Sequence, residues 1–182
     1  MKFIKTIIAG LSALALSVSV MAADKTVEAA KAPVAVETKS TDYAWVVSLG
    51  GAGTTATVGD HETAVGADIS IGHTGTLLLP VEVGVRQGVS YDSTTVFATK
   101  VYSDWTLVSL AQNTLDVFAG ANVGVVYGDV QASWTAAPEA GLRWWVKQDV
   151  AVLVRAEAPF QLDSGAEFTD SVRYFIGFQV RF

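Results

Sequence analysis

The chain contains no cysteine, two histidines and a charged fraction of only 16%, against 51% hydrophobic residues. The absence of cysteine excludes a disulfide framework and thiolate metal sites, and it fits a compartment in which thiols are a liability. So little charge with so much apolar residue excludes a disordered chain. Lys and Arg number 12 against 18 Asp and Glu, a net charge of -6, and the basic residues form no cluster. Nucleic acid is therefore excluded as a partner, because neutralising its phosphates takes grouped cations. The apolar run from Ile7 to Val20 falls short of the ~20 residues that a membrane-spanning helix needs. Composition alone does not choose between a soluble core and a membrane.

What is present at the N-terminus chooses a compartment. Lys2 and Lys5 precede the apolar run, and Val20 and Ala22 provide small residues at a cleavage position. This is the pattern of a secretory signal peptide, expected over residues 1–22. Its removal takes two positive charges and no negative ones, so the net charge moves to -6 - 2 = -8. Residues 23–42, rich in Ala, Val, Lys, Glu and Thr and without periodicity, are expected to be a flexible periplasmic segment.

From Tyr43 to the end of the chain, apolar residues alternate with small or polar ones. Trp45, Val47 and Leu49 begin the pattern, which Gly50-Gly51-Ala52-Gly53 is expected to break as a loop entry. Val65, Ala67, Ile69 and Ile71 follow, then Leu77, Leu79, Val81, Val83 and Val85, then Phe97, Val101, Trp105 and Leu107. Leu115 to Val125, Ala140 to Val146 and Val150 to Ala156 repeat it. Period two is the signature of a strand with one apolar face. Counted with the last stretch, this predicts eight strands, with polar stretches at 87–94, 127–135 and 159–169 as long loops alternating with short turns. An even number of strands with short turns at one end and longer loops at the other suits a membrane barrel with both termini on one side.

The last stretch is the cleanest. In Ser171 to Phe182, Val172, Tyr174, Ile176, Phe178, Val180 and Phe182 share one face, and Ser171, Arg173, Gly177, Gln179 and Arg181 the other. An amphipathic last strand ending on Phe resembles the C-terminal assembly signal of bacterial outer-membrane barrels, here Tyr174, Ile176, Phe178, Val180 and Phe182. The region from 43 to 182 as a whole looks like the small eight-stranded outer-membrane proteins of the OmpA transmembrane-domain and OmpX type. The resemblance implies an all-β, eight-stranded antiparallel up-and-down transmembrane barrel in the bacterial outer membrane. It also implies contact with outer-membrane lipids and lipopolysaccharide, handling by the barrel assembly machinery, and a monomeric state.

The second face decides between this barrel and an exported soluble one, whose exterior would be dense in Lys, Glu and Thr. It is instead rich in Gly, Ala and Ser with isolated charges: Asp68, Glu82, Asp104, Asp116, Glu139 and Glu157 against Arg86, Lys100, Arg143, Arg155, Arg173 and Arg181. Such a balanced set in a narrow interior points to an internal ion-pair network, since charges shut away from water persist only when paired or hydrated, and a selective pore would favour one sign. Asp60, Glu62, Asp92, Asp129, Asp163, Glu167 and Asp170 lie in or beside the long connections and form an acidic rim, read as solvated.

No catalytic constellation stands out. His61 is placed in the first long loop and His73 in a turn, and neither belongs to a His-x-Ser pair of the kind a lipid-modifying hydrolase needs. The Gly50 to Thr55 stretch lacks the lysine of a phosphate-binding loop. The sequence therefore reads as a non-enzymatic outer-membrane barrel, without cofactor or metal, in a structural or surface-interaction role. The alternative is a narrow pore for small solutes, and a more distant one is a lipid-modifying enzyme.

Overall fold

A computed structural model describes residues 44–56, 63–129, 131–163, 167–168 and 171–182. The expected signal peptide, the segment to residue 42, and Tyr43 lie outside the described residues. The strands are β1 (Trp45–Ala56), β2 (Thr63–Thr76), β3 (Pro80–Tyr91), β4 (Thr95–Leu110), β5 (Leu115–Gly128), β6 (Ser133–Trp145), β7 (Val150–Glu157), β8 (Phe160–Gln161), β9 (Glu167–Phe168) and β10 (Ser171–Arg181). From β1 to β7 each strand pairs with the next, β7 pairs with β10, and β10 returns to β1, always antiparallel. The result is a closed barrel of eight strands. The ribbon of β8 and β9 prolongs the wall beyond β7, with β8 on β6 and β9 on β8.

The register sets the dimensions. From Trp45 the cross-strand partners run to His73, Val83, Ser103, Ala121 and Pro138. Pro138 accepts the amide of Ala158, which the β7–β10 register sets opposite Val172, and Val172 pairs with Thr55. The circuit returns to β1 displaced by 55 - 45 = 10 residues. Ten residues of climb, ~33 Å, against eight strand spacings, ~38 Å, tilt the strands by about 40° and lift the chain ~2.5 Å per residue.

The two faces of the wall differ as the alternation demands. Leu49, Ile69, Val85, Val101, Ile176 and Phe178 are exposed on the outside. Aromatic residues bound this band. Trp45, Trp105, Trp144 and Phe182 lie near the end that holds the chain terminus, and Tyr91, Phe97, Tyr127 and Trp134 near the far end. Trp134 and Trp144 stand on the same face of β6, 144 - 134 = 10 residues apart, which at this tilt is ~25 Å of height, the thickness of an outer-membrane apolar band.

Several expectations are corrected. Gly50 to Gly53 do not interrupt β1, because hydrogen-bond ladders on both sides hold the backbone extended; a Cβ on Gly50 would run into the backbone of Ile176 and Gly177. The described residues of 87–94 and 127–135 are mostly strand, leaving a turn at 92–94 as tight as those at 77–79, 111–114 and 146–149. Long and short connections therefore do not alternate. Ser90 and Gly88 sit on inward positions of β3, so polarity there marks the inner face and not a loop. Leu77 and Leu79, expected in a strand, form an exposed turn closed by the Leu77 amide on the Leu79 carbonyl. β4 outruns its apolar pattern by means of a bulge between Thr106 and Val108. His73 lies within β2, its ring edge-on to Trp45 at 5.1 Å, while His61 lies outside the described residues.

Candidate functional site: the charge-paired lumen

A barrel of eight strands has room inside only for its own side chains. Here the alternation that sends Val and Ile outward sends charged residues inward. Asp68, Glu82, Arg86, Lys100, Asp104, Glu139, Arg143, Arg155 and Glu157 are all buried. Their placement at every second residue of a tilted strand stacks them in levels along the axis.

The level nearer the far end is the larger. Arg86 meets Glu139 (2.8 Å) and Glu157 (3.6 Å), and Lys100 meets Glu157 (2.7 Å). Arg155 bridges Asp68 (3.1 Å) and Glu139 (3.7 Å). Arg173 pairs with Asp68 and, at 3.8 Å, with Glu157. Asn122 donates its amide to Glu139 (2.8 Å) and Glu157 (2.9 Å), tying the two carboxylates together. The second level, towards the terminal end, centres on Glu82. It receives Arg143 (3.1 Å), the Tyr102 hydroxyl (2.7 Å) and the Gln179 amide (2.7 Å), and Arg143 also reaches Asp104 (3.4 Å).

Among the described residues, ten of the twelve charged residues picked from the alternation thus stand in ion pairs, and Asp116 and Arg181 do not. Asp116 accepts hydrogen bonds from the Ser109 hydroxyl and the Trp145 indole, both at 2.6 Å. Arg181 lies over the Trp145 ring at 4.2 Å. Both sit at the terminal mouth of the barrel.

Sequence reading by charge missed the aromatic partners. Arg86 stacks on Tyr102 (4.5 Å), Arg143 on Phe118 (4.3 Å) and Arg155 on Phe175 (4.6 Å). Each guanidinium has a ring on one face and carboxylates at its edge, an arrangement suited to Arg and not to Lys. Phe175 and Trp145 share the parity of Arg173 and Arg143, and that parity was the available signal. Room for the rings comes from glycine: a Cβ on Gly141 would meet the Phe118 ring, and one on Gly177 the Phe175 ring. The packing leaves Arg86 Nε, Asp104 Oδ1, Asn122 Oδ1, Arg143 Nε and Gln179 Oε1 buried without a partner among the described residues, positions that water satisfies in folded proteins.

At the far rim, Asp129 accepts the Thr95 amide (2.9 Å) and Asp163 the Trp134 amide (2.6 Å). These carboxylates tie the ends of neighbouring strands together, Asp129 to the start of β4 and Asp163 to the start of β6, while Asp92 is exposed in its turn. Glu167 falls in β9, and Asp60, Glu62 and Asp170 lie outside the described residues. Among the described residues no group of three or more His, Asp or Glu is placed to hold a metal ion.

Solved structures share this architecture. Neisserial surface protein A superposes with a TM-score of 0.54 at 11% identity, over 76% of this chain and 95% of that one. The N-terminal β-barrel domain of OprF from Pseudomonas aeruginosa gives 0.55 at 13% identity, over 78% and 98%. The outer membrane protein OprG from Pseudomonas aeruginosa gives 0.52 at 12% identity, over 76% and 95%. The fold is that of the small eight-stranded outer-membrane barrels. At such identities the likeness reaches the fold and no further. No protein-family model and no curated protein matches the chain.

Proposed function

We propose that this chain is a monomeric, integral outer-membrane barrel whose lumen is closed by its own ion pairs, with a non-catalytic structural or surface-interaction role. The observation that carries the reading is the inversion of the wall: charged residues buried inside, Val, Ile and Phe exposed outside between two aromatic belts ~25 Å apart. A water-soluble barrel has no reason to expose Ile176 and Phe178, two residues apart on the same face of β10, at 62% each. Closure also gives each of the eight barrel strands a neighbour on both edges, as hydrocarbon requires. In this reading the leader at 1–22 directs export, the segment 23–42 stays in the periplasm, lipids and lipopolysaccharide surround the wall, and the assembly machinery takes up Tyr174, Ile176, Phe178, Val180 and Phe182 on the last strand. Heat-modifiable gel mobility of the detergent-purified chain, with loss of the fast form on boiling, is the expected result. A single mobility, with the protein recovered from the soluble periplasm, sinks the reading.

The second reading, a narrow pore, draws support from the buried polar atoms without protein partners, which allow water among the ion pairs. Planar-bilayer recording separates the two. A closed lumen leaves no steady conductance, whereas regular steps of one size favour the pore.

A further inference from the structure

On the outer wall, below the far belt, three polar side chains close a hydrogen-bonded ring. Thr99 donates its hydroxyl to Gln87 Oε1 at 2.6 Å, the Gln87 amide donates to the Tyr127 hydroxyl at 3.3 Å, and the Thr99 and Tyr127 oxygens lie 3.1 Å apart. We propose that this ring binds a membrane lipid through a hydroxyl group carried on the upper part of its acyl chain.

Pleat parity turns all three residues outward, Gln87 between Val85 and Val89 on β3, Thr99 between Phe97 and Val101 on β4, and Tyr127 opposite Phe97 on β5. Thr99 lies 99 - 97 = 2 residues below Phe97 and Gln87 lies 91 - 87 = 4 below Tyr91. At this tilt they stand ~5 and ~10 Å beneath the belt, inside the apolar band. Apolar residues flank the ring, since the register pairs Gln87 with Ile69 and Thr99 with Val125. A belt tyrosine ordinarily keeps its hydroxyl among the head groups. Tyr127 turns the other way: its ring stacks on Phe97 at 5.8 Å, and its hydroxyl points down the wall to Thr99 and Gln87.

The protons decide the ligand. Thr99 gives its one hydrogen to Gln87, so Tyr127 is the donor in its contact with Thr99. The second amide hydrogen of Gln87 goes to the Gly88 carbonyl at 3.4 Å. Every side-chain hydrogen bound to nitrogen or oxygen in the ring is thus engaged, while the three oxygens each accept one bond and keep a lone pair free. A ligand must therefore bring the donor. The ester groups of a diacyl phospholipid offer only acceptors at that depth, and a second copy of this chain would set acceptors against acceptors. A hydroxylated acyl chain supplies an O–H and lays its methylenes on Val85, Phe97 and Val101, all exposed on the same wall. The inference rests on the membrane reading, because it needs this wall in lipid.

The full chain in nanodiscs of dimyristoylphosphatidylcholine, labelled on threonine and isoleucine methyl groups, tests it by nuclear Overhauser contacts. The probes are methyl 3-hydroxytetradecanoate and methyl tetradecanoate. Contacts from the hydroxylated ester to Thr99 should saturate at about two- to tenfold lower mole fraction than those from the plain ester, the worth of one hydrogen bond. That preference should vanish in Gln87→Leu, which removes an acceptor, and in Tyr127→Phe, which frees a Gln87 hydrogen. Equal saturation by the two esters, a preference that survives either substitution, or Thr99 contacts between differently labelled copies of the chain overturns the proposal. Contacts of either ester with Ile176 report separately that the wall lies in lipid, and gel mobility reports that each variant is folded, so failure of the ring is distinguishable from failure of the membrane reading.

Discussion

Arg86 and Glu139 face each other from the non-adjacent strands β3 and β6 and join through two contacts, Nη1 to Oε2 at 2.8 Å and Nη2 to Oε1 at 3.2 Å. The pair crosses the lumen and so braces opposite walls, which no ladder hydrogen bond can do. Glu139 also accepts from Asn122 and lies near Arg155. Removing its charge takes from Arg86 its two-contact partner and leaves that buried guanidinium only Glu157 at 3.6 Å, while Arg155 keeps Asp68. Glu139→Gln should therefore cost about 3–5 kcal/mol, the usual penalty for breaking a buried pair from one side. Urea unfolding of the vesicle-inserted barrel measures it, and a loss below ~1 kcal/mol would show that water replaces the carboxylate without difficulty.

Truncating both partners has a different consequence. Arg86→Ala with Glu139→Ala leaves no uncompensated charge and takes away the central brace of the larger level. We expect the double variant to conduct in planar bilayers where the parent chain does not. A silent double variant would mean that Asn122, Arg155 and Lys100 close the lumen unaided.

The Phe118 ring depends on the hydrogen at the α-carbon of Gly141. A Cβ there would meet both the ring and the Val154 carbonyl, and Phe118 is only 1% exposed beneath Arg143. Gly141→Val should destabilise the barrel by about 1–3 kcal/mol through overpacking, and pairing it with Phe118→Ala should recover part of that loss. Independent, additive costs in the two-variant cycle would show that the glycine serves some other need.

Much of this interior was legible in the alternation, for a physical reason: on a pleated strand, parity alone decides which wall a residue faces. Asp68, Glu82, Arg155 and Arg173 fall inside by that rule. What parity does not carry is where a strand stops. Ser90 and Gly88 read as loop because small polar residues suit both a turn and a lumen, and Leu77 and Leu79 read as strand because an apolar turn at a membrane surface keeps the same pattern. Nor does parity say which residues meet across the axis. The encounters of Lys100 with Glu157 and of Arg143 with Glu82 depend on the stagger around the ring, which is a property of all eight pairings together.

The outer face has its own test. Ile176 is 62% exposed about midway between the aromatic belts, whereas Leu78 is 99% exposed in the turn that joins β2 to β3. Equal exposure to water would make arginine harmless at both. In a bilayer the first position lies in hydrocarbon and the second beyond it, so Ile176→Arg should cost about 2–4 kcal/mol and Leu78→Arg close to ~0 kcal/mol. Equal small costs in vesicle unfolding would place the wall in water.

The end of the last strand separates assembly from stability. Phe182 exchanges two backbone hydrogen bonds with Trp45, each 3.0 Å, and its ring is 71% exposed. Those bonds join β10 to the start of β1 at the point where the barrel closes. Phe182→Ala keeps the backbone pair and removes only an outward ring, so the folded barrel should lose little stability in vesicles. If the ring acts instead in recognition of the unfolded chain, the same substitution should cut the yield of folded protein in the outer membrane of growing cells several-fold. Deleting Phe182 removes ring and backbone bonds alike, and should lower both yield and stability. Wild-type yield for Phe182→Ala would count against an assembly role, and a fall in yield matched by an equal fall in stability would assign the ring to packing alone.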